Sequence, residues 1–332
     1  MSGYTRWISQ WQRQLGEENV RVAAPMADYT TLRVGGPADV VVTVTSVKVL
    51  VDLARQVWAA GEPLWVLGGG SNVLVADEGI RGVVVINRCR GYEVFTTPDG
   101  IPYVRAEAGV PLAGLARSLI RQGLDGLTWA VNIPGTVGGA VVGNAGAHGG
   151  AVADVLVEVV LLERDGTVRR LPATAMAYSY RSSWLKARGW DRPLVLEAVF
   201  RLSPASPGVL QRQAETFVAY RRQTQPSEPS VGSIFQNPEG DFAGRLIEAA
   251  GLKGARCGNA MISPVHANFI VNLGGARAAD VETLMRRARE TVKAHFGITL
   301  KPEILFLGEW PSDVCTYWGV APVPVPAASV EE

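Results

Sequence analysis

The chain has 332 residues, 47% of them hydrophobic and 19% charged, which suits a globular protein of two or three domains and excludes a disordered one. A formal net charge of +1 argues against a nucleic-acid binder that works through a broad basic field. The three cysteines, Cys89, Cys257 and Cys315, are scattered and there are only three histidines, so neither a disulfide framework nor a metal centre is expected.

The opening MSGYTRWISQWQRQLG has no apolar signal core, and no apolar run is long enough to span a bilayer, so a cytoplasmic protein is expected. Residues 5–16 predict a short helix with its tryptophans on one side. After Pro37, ADVVVTVT is an apolar β-branched run and predicts a buried strand. Ser46 is placed to cap a helix, VKVLVDLARQVWAA, that stops at Gly61. LWVL and GVVVIN predict two more strands, with the turn GGGSN after the first, which makes this region an α/β unit.

The middle of the chain reads differently. YVRAEAG predicts a strand. Pro111 opens a helix with Leu112, Leu115 and Leu119 on one face, closed by Gly123. VEVVLLERDGTVRRL predicts a hairpin about Asp165-Gly166, and PLVLEAVFRL another strand, so an antiparallel sheet with helices is expected. SPASPG, residues 203–208, predicts a domain boundary. Beyond it come a helix through Tyr220-Arg221-Arg222, a helix FAGRLIEAA capped by Asp241, and the strand NFIVN. A helix over 278–295 follows, with Val281, Leu284, Met285, Ala288 and Val292 inward. EILFL predicts the last strand, and the chain from 311 to 332 is expected to be a mobile tail.

Two glycine-rich stretches stand out, LGGGSNVLVAD at 67–77 and NIPGTVGGAVVGNAGAHGG at 132–150. Glycine allows positive φ and lets peptide N–H groups approach a ligand with no Cβ in the way, and successive N–H groups can form an anion nest. Neither stretch ends in the Lys-Ser/Thr of a P-loop. The first strand is followed by Ser46 and Val47 rather than GxGxxG, so an ordinary dinucleotide fold is disfavoured. What remains is a dinucleotide cradle built from two separated glycine loops.

Seven blocks occur in order: YTTLRVGGPAD, LGGGSNVLVADEGIRG, IPGTVGGAVVGNAGAHGG, YRSSWL, GSIFQNPEGDFAGRLIEAAGLKG, HANFIVN and KPEILFLG. Together they resemble the UDP-N-acetylenolpyruvoylglucosamine reductase (MurB) family over roughly residues 20 to 310, in its shorter subtype without an extra substrate-covering loop. The first two blocks alone would indicate only the wider fold of vanillyl-alcohol oxidase. The resemblance implies an α/β and α+β flavoprotein: FAD-binding lobes at 1–88 and 89–205, and an α+β substrate domain at 206–310 for the UDP-sugar. It implies non-covalent FAD, NADPH as co-substrate, UDP-N-acetylglucosamine enolpyruvate as substrate, no nucleic acid, no membrane span and a monomer.

By the same resemblance Leu67, Gly68, Gly69, Gly70, Ser71 and Asn72 hold the FAD pyrophosphate. Pro134, Gly135, Thr136, Gly138, Gly139, Asn144 and Gly146 wrap the flavin side, and Arg33, Val34, Gly35 and Gly36 line the first loop. The loop is then bare because a large cofactor lies on it. Arg181 pairs with the substrate carboxylate beside Tyr180, Glu303 joins it, Ser233 delivers a proton to carbon, and Asn237 meets the diphosphate. These types suit the chemistry, since reducing an enol ether that bears a carboxylate builds enolate charge, which needs a cation and an acid. His148 is assigned no chemistry and His266 a structural role. Gln236 stands where many relatives have lysine, and with the short interval from Thr224 to Ser233 it leaves the diphosphate and uridine contacts open. Two alternatives stand: another FAD oxidase or dehydrogenase of the same fold, and a nucleotide-sugar-binding protein without redox activity.

Overall fold

The computed structural model describes residues 4–320. They form two compact units, each assembled from separated stretches of chain. The first takes the residues up to Val20, Val42–Gly69 and Val84–Arg221. The second takes Arg21–Val41, Gly70–Val83 and the chain from Arg222 onward. The division falls inside the strands Pro37–Val44 and Ile80–Asn87. Both belong to a four-stranded sheet in the order Val20–Pro25, Pro37–Val44, Ile80–Asn87, Leu64–Leu67. The α/β expectation for this region holds, with the helix Val47–Ala59 following Ser46. Ser46 is the N-cap residue, but its side chain makes no capping bond. The strand Val20–Pro25 was not expected.

The first unit is built on a five-stranded antiparallel sheet. Its order is Val168–Pro172, Leu156–Leu162, Leu194–Arg201, Pro102–Glu107, Tyr92–Thr96. Leu194–Arg201 lies at the centre, and Val195, Leu196, Ala198, Val199 and Phe200 are buried, as a strand covered on both faces should be. The expected hairpin is present: Leu162 pairs with Val168, and Gly166 sits at φ 84°. Asp165 closes the turn by accepting from the Thr167 N–H at 2.8 Å. The helix Leu112–Arg121 buries Leu112, Leu115 and Leu119, as its spacing predicts. Each such side chain contributes about 1.5–3 kcal/mol of hydrophobic stabilisation.

The Pro/Ser stretch at 203–208 runs straight on into further structure of the first unit. Ser203–Pro204 pairs with Leu124–Asp125, and the helix Pro207–Thr224 begins at once. Leu202, Leu210 and Ala214 all enter the core of the first unit, so burial outweighs the local turn signal.

In the second unit the helices Ala243–Ala249 and Ala278–Phe296 cover a small antiparallel sheet of Arg256–Cys257, Ala260–Ile262 and Ile270–Asn272. All five inward residues predicted on the long helix are buried. Leu305–Leu307 pairs in parallel with Val73–Val75. Asp241 does not cap Ala243–Ala249. It is paired with Arg245, whose hydrogen bond holds its carboxyl down at about 2, and the cap position is Phe242. The expected mobile tail is folded in its first part: Ser312–Trp318 is a helix that buries Val314. Residues 321–332 of that tail lie outside the described residues. Among the described residues, no helix is long and apolar enough to cross a membrane.

Candidate active site

In the second unit a short backbone ladder brings three of the expected residues together. Phe235 and Pro302 form an antiparallel bridge. The Glu303 N–H donates to the Ile234 carbonyl at 2.8 Å, and the Gln236 N–H donates to the Lys301 carbonyl at 2.9 Å. Ser233 therefore sits one residue before the end of this ladder, next to Ile234, which lies opposite Glu303. Asn72 closes the other side: its Nδ2 donates to the Glu303 carbonyl at 3.3 Å, and its own carbonyl accepts from the Leu305 N–H at 3.0 Å. Both peptide groups of Glu303 are thus satisfied, and its side chain is half-buried.

Asn268 locks the Ser233 side of the ladder. Its Oδ1 accepts from the Phe235 N–H at 2.9 Å and its Nδ2 donates to the Phe235 carbonyl at 2.8 Å. The carbonyl of Asn268 also takes the Ile234 N–H at 2.9 Å. His266 Nδ1 accepts from the Asn268 N–H at 3.1 Å, which needs a neutral imidazole. Burial, then nearby Lys253, push the His266 pKa down and favour that form. The structural reading of His266 fits this geometry.

The first loop, Arg33–Gly36, is held from within the same unit. Thr30 Oγ1 donates to the Val34 carbonyl at 2.8 Å. Buried Asn272 spans the loop, donating to the Leu32 carbonyl at 2.9 Å and the Arg33 carbonyl at 3.2 Å. Its Oδ1 accepts from the N–H groups of Gly274 and Ala276. Arg33 itself is exposed and left-handed, at φ 56°. Gly70 is set by the protein's own packing. It has φ 60°, and a Cβ there would lie 2.0 Å from the Tyr29 carbonyl oxygen.

The first unit holds the rest of the glycine loops. Gly68 and Gly69 lie against Thr136 and Gly135: a Cβ on Gly68 would sit 2.1 Å from Thr136 Oγ1, and one on Gly69 3.1 Å from the Gly135 Cα. The Gly138 N–H donates to the Ala108 carbonyl at 2.9 Å, and a Cβ on Gly138 would meet the Ala108 Cβ at 2.8 Å. Gly146 is closed off by the Gly150 carbonyl. The loop is therefore bare mainly because strand, loop and helix backbones press on one another, and not only because a cofactor lies on it. Gly139 is the exception: it is exposed, with nothing nearer than Thr136 Oγ1 at 3.8 Å to where a Cβ would stand. Gly143 has nothing within 4 Å. These open faces fit a flat group laid against the loop.

Arg181 is in the first unit, at the tip of a tight turn. Ser179 and Ser182 exchange backbone hydrogen bonds at 3.2 and 3.1 Å, which leaves Tyr180 and Arg181 as the corner. Arg181 has φ 54°, where a side chain costs about 1–2 kcal/mol. The turn is anchored to the helix Val137–Gly143. Asn144 Nδ2 donates to the Ser179 carbonyl at 2.9 Å, and fully buried Ser183 donates to the Val142 carbonyl at 2.6 Å. Lys186 Nζ donates to the Arg181 carbonyl at 3.0 Å. Such a strained corner persists only where the surrounding bonds hold it, as they do here.

Two expected ligand contacts are engaged elsewhere. The Asn144 side chain is filled at both ends, since its Oδ1 accepts from the Ala153 N–H at 3.0 Å. Asn237 Oδ1 accepts from the Ala243 N–H at 3.1 Å at the start of the next helix, which leaves its Nδ2 for a ligand. His148 stacks on Phe217 with 4.0 Å between ring centroids. Asn268, Asn272, Lys186 and Ser183 were not anticipated. The asparagines could have been, because HANFIVN places one at each end of an apolar strand, where a buried amide must find partners.

Comparison with known proteins fits this arrangement. An FAD binding domain matches residues 38–172, and the UDP-N-acetylenolpyruvoylglucosamine reductase C-terminal domain matches residues 225–307. UDP-N-acetylenolpyruvoylglucosamine reductase 2 of Symbiobacterium thermophilum is 44% identical over 293 residues, 88% of this chain and 93% of the relative. The chain belongs to the MurB family. A Chloroflexus aggregans member is 45% identical over 86% of this chain and 96% of its own. The crystal structure of the Thermus caldophilus MurB superposes with a TM-score of 0.71 at 36% identity, over 87% of this chain and 99% of that one. As a MurB protein the chain is an FAD-dependent oxidoreductase, with an FAD-binding region followed by the C-terminal domain that contains Ser233 and Glu303.

Proposed function

We propose that this MurB protein reduces UDP-N-acetylglucosamine enolpyruvate to UDP-N-acetylmuramate with NADPH, a step toward peptidoglycan, as a monomer in the cytoplasm. Segments 1–88 and 89–205 serve FAD and 206–310 serves the sugar nucleotide. The observation that carries this reading is the pinned ladder in the matched C-terminal domain, where the Glu303 N–H bonds to the Ile234 carbonyl at 2.8 Å beside Ser233. A hydroxyl and a carboxyl on opposed, locked backbones are what a proton-delivery step needs.

When bound, FAD would supply the hydride-transfer chemistry, with NADPH as the hydride source and the terminal carbon of the enol ether as its acceptor. The protein's residues deal with the charge that results. The planar fork of Arg181 grips the substrate carboxylate and holds the negative charge that moves into it. Glu303 hydrogen-bonds the same group and shares a proton with it as the enolate forms. Ser233 gives its proton to the adjacent carbon and regains one from water. An alcohol is a weak acid, but a carbanion-like carbon is a strong enough base to take its proton.

The glycines of 68–70 with Ser71 and Asn72 hold the pyrophosphate, and Leu67 backs them. Pro134, Gly135, Thr136 and Gly139 would face the flavin, with Gly138, Asn144 and Gly146 fixing the backbone of that loop. Arg33, Val34, Gly35 and Gly36 form the remaining edge. Tyr180 stands beside Arg181, and the free amide end of Asn237 meets the diphosphate.

NADP must leave before the sugar nucleotide reacts, so the two substrates alternate. Initial-rate measurements at several fixed concentrations of each are expected to give parallel double-reciprocal lines. Intersecting lines would show that both substrates bind together and would contradict the scheme.

A further inference from the structure

The helix Ser312–Trp318 lies beyond the residues matched by the C-terminal family domain, yet it is built into the second unit beneath the ladder. Trp318 stacks on Phe306 at 5.7 Å between ring centroids and tilts against Phe235 at 6.4 Å. Phe235 is the ladder residue two positions after Ser233, and Phe306 lies three positions after Glu303. The indole N–H of Trp318 donates to Glu282 Oε1 at 2.8 Å. Glu282 is buried in the helix Ala278–Phe296 and also accepts from Arg286 Nε at 3.0 Å. Arg289 completes the clamp, with its Nη1 donating to the Tyr317 carbonyl at 3.1 Å and its guanidinium 5.1 Å from the Trp318 ring.

A surface helix held only by an apolar stripe could slide. This one cannot, because its last tryptophan must satisfy a buried carboxylate whose other partner is an arginine. The indole is therefore fixed in place, and the two phenylalanines packed on it are fixed in turn. We infer that Trp318 is a positioning residue: through Phe235 and Phe306 it holds Ser233 and Glu303 in register for the proton-delivery half of the reaction. This rests on the roles given to Ser233 and Glu303 above. It gives the segment after Trp310 a part in catalysis.

Positioning and plain stability separate in the half-reactions. With FAD-loaded Trp318→Ala, flavin bleaching by NADPH should stay within about twofold of wild type, while recolouring by the enolpyruvyl UDP-sugar slows about tenfold, as a sub-ångström displacement would cause. Trp318→Phe, which keeps a ring and loses the N–H, should fall between. Hydrogen exchange of the same holoproteins should speed up at the ladder amides of Ile234, Phe235, Gln236 and Glu303, and stay as in wild type in the sheet strand Leu194–Arg201. Unchanged exchange at those amides would overturn the inference, and so would equal slowing of both half-reactions. If Trp318→Ala does not fold, Trp318→Phe decides by the same two readouts. Wild-type protein that never recolours would sink the proposed reaction itself, and the exchange comparison would still judge the role of Trp318.

Discussion

Ser233→Ala is expected to bleach with NADPH at the wild-type rate and to recolour with the enolpyruvyl UDP-sugar about a thousandfold more slowly, the loss typical of a removed general acid. The substitution should be structurally quiet. The bonds that fix this stretch run through the peptide groups of Ile234, Phe235 and Gln236, not through the Ser233 hydroxyl. The left-handed position, φ 80°, belongs to Gly232, which stays in place. NADPH oxidation does not use the hydroxyl, so the first half-reaction reports that the flavin site is intact. Stopped-flow absorbance read separately for the two halves makes the test. Normal recolouring in the variant would remove Ser233 from the mechanism.

The second large effect joins stability and activity with opposite signs. Arg181 occupies a left-handed corner at φ 54°, where glycine would sit without strain. Its backbone restraints, the Lys186 bond to its carbonyl and the Ser179–Ser182 pair, do not depend on its side chain. Arg181→Gly should relieve about 1 kcal/mol of strain and raise the unfolding midpoint by about 2–4 °C. The same change removes the cation proposed to hold the substrate carboxylate, so kcat/KM should fall about a thousandfold. Arg181→Lys keeps the charge but loses the two-point fork, and should recover only part of that loss. Thermal unfolding and steady-state kinetics on the same preparations check both signs. A variant that is less stable yet fully active would show that the arginine serves the fold.

Much of this was legible in the chain. Long apolar runs bounded by glycine and proline, such as PLVLEAVFRL and ADVVVTVT, can only be buried strands, and both appear. The leucine spacing after Pro111 and the stripe on Ala278–Phe296 carry the helical period plainly. The glycine blocks mark where backbones meet, although most of those contacts prove to be protein on protein. Val20–Pro25 escaped notice because only Val20 and Ala24 of its six residues are buried, so its pattern is too sparse to read. The interleaving of the two units was also out of reach. Local patterns carry no record of which distant stretches pack together, and a Pro/Ser break reads as a boundary whether or not Leu202 and Leu210 share a core. The helix Ser312–Trp318 was readable in principle, since Trp310, Val314 and Trp318 recur every four residues, but the proline-rich segment that follows obscured them. Within the site, the family resemblance, not residue type alone, pointed to Arg181, Ser233 and Glu303. Which backbone carbonyls the amides of Asn72, Asn144 and Asn268 bond shows only in three dimensions.

All of this turns on a flavin that takes electrons from one nucleotide and gives them to another. The most direct test is the visible spectrum of the purified protein without oxygen, first with NADPH and then with UDP-N-acetylglucosamine enolpyruvate. The account predicts a yellow protein that bleaches with the first and recovers its colour in proportion to the second, with UDP-N-acetylmuramate as product. A colourless protein, or a bleached one that the sugar nucleotide leaves bleached while oxygen or a dye restores it, would contradict the account.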